Sequence, residues 1–529
     1  MAQASLVIRN ANVWTGGRPD GRHQAIACAG ERIVAVGRND EISALIGTGT
    51  KVIDAAGLLV TPSFNDSHAH LLLGGRQLLS ADLRDARNRE EFTAMIAAKA
   101  RILSPGRWLT GGNWDNGAWA DRRLPSKDDV DSVTPMTPVF VTRSDLHMGL
   151  ANSAALALAG ITPATPNPSG GAIMRKPDSG EPTGILKDAA LELVRRVIPP
   201  PSIDDSLAAV EKACNLAASL GVTSLQDMAV GDEWDNWNIF QAFRKRQAPK
   251  VRLCVRMPLT EWAGSRALPA GSQDDWLRLG GVKSFVDGSL GAASALFFAS
   301  YDDEPGNSGL LMHQPDELAG QLAAADRAGL QAAVHAIGDK ANNILLNIFA
   351  AVAAQNGNRD RRCRIEHAQH LAAEDIGRMA AQGVIASVQP SHIIDDGRWA
   401  ENRIGPERAK FAYPFRSLLD AGVRLAFGSD WPVVSLNPLI GIQAAVTRKL
   451  DNGRLWHPEQ RIAVEEAANA YTREAAYAEF AEAAKGTLAP GMLADLVILS
   501  NDIFTSPPEE IAAAKVVCTV CGGQVVYEK

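Results

Sequence analysis

Thiols are scarce in this chain. Six cysteines among 529 residues cannot build the dense disulfide framework of a small secreted domain. The one close pair, Cys518 and Cys521, lies in VVCTVCGGQVVY, a valine-rich run with a Gly-Gly turn that reads as a terminal hairpin. No second such pair completes a thiolate zinc site. Long apolar runs are missing as well: none approaches the ~18 residues that span a bilayer. Residues 1–30 have neither a basic start nor a continuous apolar stretch. Like charges do not cluster either. The 53 basic and 60 acidic residues leave a net charge of −7, spread without blocks, which argues against nucleic acid or an anionic membrane as a partner. Low-complexity tracts and regular repeats are absent. The expectation left standing is a cytoplasmic enzyme acting on a small molecule.

What remains is ordinary core material, 46% hydrophobic and 21% charged, in a chain long enough for more than one domain. Residues 1–60 read as short strands and turns. The far end answers them with GMLADLVIL and the run from Lys515 to Tyr527, so residues 1–60 and 483–529 are expected to form one small β-sandwich from both termini. Between them, residues 61–482 alternate short apolar runs with alanine-rich helical stretches, the pattern of a parallel α/β fold. Eight candidate strands emerge: Val60 to Phe64, Val222 to Gln226, Val251 to Val255, Gly281 to Val286, Gln331 to Val334, Arg364 to Glu366, Val384 to Val388 and Arg424 to Gly428. Eight strand-and-helix units predict a (β/α)8 TIM barrel, whose functional groups gather at the C-terminal strand ends. About 150 residues separate the first two strands, too many for a loop. An inserted subdomain at about 107–200 is expected there, carrying GGNWDNGAW and TRSDLHMGLANSAAL.

The chemistry collects where the barrel predicts it. TPSFNDSHAHLLLGG carries His68 and His70, which a strand places on one face, roughly 6.5 Å apart at ~3.3 Å per residue, within reach of one cation. A lone His-X-His is weak, because two hydrogen-bonded imidazoles serve the same pattern. Later strand ends add Lys283 in GGVKSFVDGSLG, His335 in AAVHAIGD, His367 in RIEHAQH and Asp430 in LAFGSDWP. Imidazole, lysine and carboxylate in that strand order point to a metal site with nitrogen and oxygen donors, suited to Zn²⁺ or another divalent ion.

With these motifs (SFNDSHAH, GVKSFVDGSLG, VHAIGD, RIEHAQH, FGSDWP and GMLADLVIL) the chain resembles the amidohydrolase superfamily, in the branch of N-substituted formamide deformylases and YtcJ-like hydrolases. The resemblance covers nearly the whole chain. It implies that His68, His70 and Asp430 bind the more buried metal and that His335 and His367 bind a second. It further implies that Lys283 bridges the two as its N6-carboxylated form, a carbamate. The residues themselves allow one or two metals, with Lys283 either carboxylated or a neutral amine beside one ion. In a one-metal site His367 would be a hydrogen-bond donor instead of a ligand.

The implied reaction is cleavage of a non-peptide carbon–nitrogen bond, in an amide, N-acyl or N-formyl amine, by metal-bound hydroxide with Asp430 as catalytic proton shuttle. Cyclic amides, carbamates, esters or lactones would suit the same chemistry. A heterocycle deaminase of this family has an HxxE pattern after the fifth strand; here the residues are His335-Ala336-Ile337-Gly338-Asp339. A non-catalytic binding protein would have lost ligands, and none is missing. His147 in the insertion and His392 and Trp399 after the seventh strand are candidate substrate contacts. Asp66, Asp287 and Glu366 read as supporting residues. The resemblance also implies a homo-oligomer, a dimer in the first instance.

Overall fold

The computed structural model describes residues 3–17, 23–104, 106–144, 147–228, 236–265 and 273–529. The chain divides into two compact units, Met1–Leu71 with Cys214–Lys529 and, separately, Leu72–Ala213. Asp145 and Leu146 of the segment containing His147 lie outside the described residues.

The larger unit is built on eight parallel strands, β1 (Phe64–Ala69), β2 (Val222–Met228), β3 (Arg252–Pro258), β4 (Leu277–Phe285), β5 (Ala332–Ala336), β6 (Arg364–His367), β7 (Ile385–Val388) and β8 (Leu425–Phe427). They hydrogen-bond in sequence order, as a sheet built from β-α-β crossovers requires. The two edge strands meet at the C-terminal end. There His68 and Trp431 carbonyls accept from the Asp430 and His70 N–H groups at 2.7 and 2.8 Å, and Ala69 bridges Trp431. The barrel closes where the candidate site lies. Close approach at this seam explains Gly428: a Cβ there would sit 2.5 Å from the His68 nitrogen.

One expectation fails in detail. The run ahead of His68 and His70 is two strands, not one. Leu59–Pro62 pairs antiparallel with Leu496–Leu499, and the barrel strand begins only at Phe64. Pro62 has no N–H with which to continue a ladder, so the chain changes sheets at Pro62-Ser63.

Leu59–Pro62 belongs to a five-stranded sheet ordered Asn12–Val13, Leu59–Pro62, Leu496–Leu499, Val516–Cys521, Gln524–Glu528. A four-stranded sheet comes from residues 6–54 alone. Both contribute to one apolar cluster, in which Ile8, Ile26 and Ile33 join Val60, Leu496, Ile498 and Val520. Cys518 packs in that cluster, and among the described residues no disulfide joins any of the six cysteines. The barrel floor is tied to this layer by the buried pair Arg252–Asp495 at 2.7 Å.

Residues 72–213 form a unit with their own six-stranded sheet, ordered Gly171–Arg175, Pro182–Asp188, Met148–Ala151, Val139–Arg143, Leu109–Trp114, Ala81–Asp82. Trp114 and Trp119 are buried in its core against Phe92, so packing accounts for both. Among the described residues no helix is long and apolar enough to cross a membrane.

Candidate metal centre

The barrel interior beneath the strand ends is charged. Arg364 and Glu366, two apart on β6 and therefore on one face, are both fully buried and pair at 2.7 and 3.0 Å. Arg364 also donates to Gln226, to the Ser67 carbonyl and to Ser387. Burial alone would neutralise Glu366, yet Arg364 and His68 hold its carboxyl well below the usual range. The Oε2 that accepts at 3.0 Å also faces His68 Nδ1 at 2.7 Å. A carboxylate only accepts, so His68 carries its proton on Nδ1 and leaves Nε2 bare.

The same division recurs around the centre. His70 Nδ1 donates to the Met228 carbonyl at 2.9 Å, leaving Nε2 toward Asp430 Oδ1 at 3.0 Å. His335 Nε2 donates to the Gly288 carbonyl at 3.0 Å, leaving Nδ1. His367 Nδ1 lies 2.8 Å from Gln389 Oε1, leaving Nε2. The four rings form a chain, with centroid separations of 5.5 Å (His70–His68), 4.9 Å (His68–His367) and 4.5 Å (His367–His335). One nitrogen anchored and the other free is the arrangement of metal-ligating histidines, whose anchoring partner fixes tautomer and ring plane. Burial, reinforced by Lys283, lowers His335 to about 3, and burial with His335 lowers His367 well below its ordinary value. Both are neutral at pH 7, the form that binds metal.

Asp430 completes the ring. Its Oδ1 lies 3.0 Å from His70 Nε2 and 3.4 Å from His68 Nε2. Ligand atoms of His68, His367 and Asp430 lie within 4.8 Å of one another, close enough for one cation. Asp430 and His367 both adopt left-handed backbone, φ 60° and 76°, a conformation that costs a non-glycine residue ~1–3 kcal/mol and collects at functional sites. Lys283 on β4 is buried among these groups, 3% exposed, its Nζ 4.7 Å from the Phe285 ring. Burial lowers it to about 8, with Glu366 and Asp430 opposing. Asp287 is not its partner: that carboxylate accepts from the Leu296, Ile337 and Gly338 N–H groups at 2.8–3.0 Å. Asp66 has a parallel task, accepting from the His68 and Ser429 backbone at 3.0 Å, with burial lifting it to about 6.

The three candidate substrate contacts are placed differently. His392 Nε2 lies 3.8 Å from Asp430 Oδ2. Trp399 is half-buried before the helix Ala400–Ala409, with the Arg403 guanidinium 5.8 Å from its ring. His147 is exposed in the 72–213 unit, its Nδ1 2.9 Å from Asp188 Oδ1. Sequence reasoning passed over Gln389, Arg364, Asp227 and Phe285. Asp227 accepts the Leu71 N–H at 2.7 Å beside His70; Phe285 stacks 5.2 Å from His335. For Gln389 and Asp227 the available signal was position, since polar residues at C-terminal strand ends face the site.

Comparisons with known proteins agree with this architecture. The model described as "Amidohydrolase family" matches residues 51–527. The protein LONG AFTER FAR-RED 3 of Arabidopsis thaliana is 41% identical, over 99% of this chain and 92% of its own. YtcJ of Bacillus subtilis is 33% identical over 91% of both chains, and the N-substituted formamide deformylase of Arthrobacter pascens is 29% identical over 99% of this chain and 98% of its own. Among solved structures, an uncharacterized metal-dependent hydrolase from Pyrococcus furiosus superposes with a TM-score of 0.77 at 31% identity, covering 94% of this chain and all of that one. A match spanning nearly the whole chain, on a barrel whose strand ends carry this histidine and aspartate ring, makes the protein a member of the amidohydrolase family.

Proposed function

We propose that the protein is a metal-dependent hydrolase of carbon–nitrogen bonds in small amides, with N-acyl and N-formyl amines as the substrate class. The observation that carries this is the set of four imidazoles, each anchored outward through one nitrogen, around Asp430. The likeness to the Arthrobacter deformylase favours N-formyl amines. His68, His70 and Asp430 would hold one divalent ion, Zn²⁺ by donor type, and His335 and His367 a second, with Lys283 between them as a carbamate. When bound, the metal acidifies water and polarises the substrate carbonyl.

The chain's own residues do the rest. Asp430 Oδ1 lies 3.0 Å from the bare His70 Nε2 and 3.4 Å from the bare His68 Nε2, the place an ion would be shared, so Oδ2 is the oxygen that would be available to a proton. It takes the proton of the attacking water as the O–C bond forms and returns it to nitrogen as the C–N bond breaks. A positioned proton carrier of this kind contributes ~10²–10⁴-fold. Gln389 and Glu366 keep His367 and His68 in the required tautomers throughout.

A second reading has its own support. His367 groups with His68 and Asp430 within 4.8 Å, which favours a single ion held by those three, with His367 as a ligand and not the hydrogen-bond donor expected of a one-metal site. Zinc titration of metal-depleted protein against a panel of N-formyl and N-acyl amines tests both. Hydrolysis that rises with zinc and saturates at two equivalents supports the bridged site, saturation at one supports the single-ion site, and hydrolysis indifferent to metal contradicts both.

A further inference from the structure

We infer that His392 and Asp430 grip the scissile nitrogen from two sides, which makes the protein selective for secondary amides, those that keep an N–H. The inference rests on the amide-hydrolase reading and names its substrate class more narrowly.

Two atoms carry the argument. Asp430 Oδ2 faces His392 Nε2 at 3.8 Å, too long for a hydrogen bond. Among the described residues that buried Nε2 has no hydrogen-bond partner, although an unpaired buried polar atom costs the full desolvation of the group. An atom ~2.9 Å from each would sit at the apex of a triangle above the gap, hydrogen-bonded to both. A secondary amide nitrogen is suited to that apex, because it offers one N–H and, once the carbonyl carbon is attacked, one lone pair.

The scaffold holds His392 at this place. It ends the short 3₁₀ turn Pro390–His392, and its backbone N–H donates to the carbonyl of Gln389, the residue that anchors His367. One helical turn later Asp396 accepts from Tyr413 at 2.5 Å and from Gln369 at 2.7 Å. The loops after β6 and β7 are thereby joined through Asp396.

In the collapse step the proton on Asp430 Oδ2 passes to the nitrogen lone pair, the C–N electron pair goes to nitrogen, and the carbonyl re-forms. The N–H remains on the departing amine, donated to His392 Nε2. His392 neither gains nor loses a proton, so its part is orientation of the lone pair toward Asp430. A tertiary amide has no N–H to donate and places an alkyl group against Nε2.

The test uses zinc-loaded full-length protein with formanilide and N-methylformanilide, comparing wild type, His392→Ala and His392→Gln. The wild type should prefer formanilide by at least ~10-fold in kcat/KM, the scale of one hydrogen bond to a buried acceptor. His392→Ala should lose ~10–100-fold on formanilide and less than ~3-fold on the tertiary amide, with zinc content unchanged. His392→Gln, which keeps a side-chain acceptor, should recover part of the preference. Equal losses on both substrates, or a fall in zinc content, would overturn the assignment and make His392 a structural residue or a ligand. Failure of the wild type to hydrolyse either amide, seen before any substitution, would overturn the underlying amide-hydrolase reading.

Discussion

Replacing Glu366 by glutamine changes one oxygen to an NH₂ group and should nevertheless disable the metal centre. The carboxylate accepts from Arg364 through one oxygen at 2.7 Å and through the other at 3.0 Å, and that second oxygen also faces His68 Nδ1 at 2.7 Å. An amide cannot accept on both sides. If its oxygen faces Arg364, its NH₂ faces His68 and forces the ring proton from Nδ1 to Nε2, which removes the bare nitrogen beside Asp430. If it is flipped, NH₂ opposes a buried guanidinium. Losing one partner of a buried ion pair costs ~3–5 kcal/mol, softened here because Arg364 keeps Gln226, Ser67 and Ser387. Loss of such an anchoring partner lowers metal affinity ~10–100-fold. Chelator competition should show that loss of zinc affinity, and denaturation of the metal-free protein should show lower stability. Zinc affinity equal to wild type would refute the tautomer argument, whatever happened to stability.

Asp430→Asn should leave the fold intact and reduce kcat by at least ~100-fold on any amide, measured at saturating zinc. Gly428→Ala would place a methyl group 2.5 Å from the His68 nitrogen and 2.9 Å from Asp66 Oδ1; opening this seam should cost ~1–3 kcal/mol and weaken zinc binding, read by thermal unfolding and chelator competition. Glu479, fully buried, accepts from Asn65 at 2.7 Å and pairs with Lys485 at 2.8 Å and with Arg278. Burial opposes its charge, but Lys485 and Arg278 hold the carboxyl well below its ordinary value. Its contribution is therefore complete above the unfolded pKa of ~4.3 and is lost as pH falls below that toward the folded value. Glu479→Gln should reduce stability at pH 7 and flatten the acid limb between pH 4 and 2, measured by denaturant midpoint against pH.

Much of this was legible in the chain because barrel strands buried on both faces read as continuous apolar runs. His335 and Asp430 also follow such runs at the same end, AAV and LAFGS, whereas His367 follows the charged Arg364-Ile365-Glu366. Pro62 marked the change of sheet, but an apolar run does not say which neighbour it pairs with, so Leu59–Pro62 and Phe64–Ala69 merged in the sequence reading. Glu366 was visible as a supporting residue, whereas its coupling to Arg364 and His68 depends on the interior packing of several strands. Gln389 was hidden for a related reason: a glutamine before a proline resembles any loop entry until its oxygen is found 2.8 Å from His367. His147 stood out in the sequence as a histidine in an insertion, and its visible partner is Asp188 within the same unit.

Hydrolysis is proposed to depend on a divalent ion held by these strand ends. The most direct test is elemental analysis of protein prepared without chelator, with hydrolysis of an N-formyl amine followed in the same samples as metal is withdrawn and zinc restored. Protein so prepared should hold one or two divalent ions per chain, with activity that falls in proportion to metal removed and recovers with zinc in wild type but not in a His68→Ala, His70→Ala double variant. Full activity in metal-free protein, or metal content unchanged in that variant, would contradict that dependence.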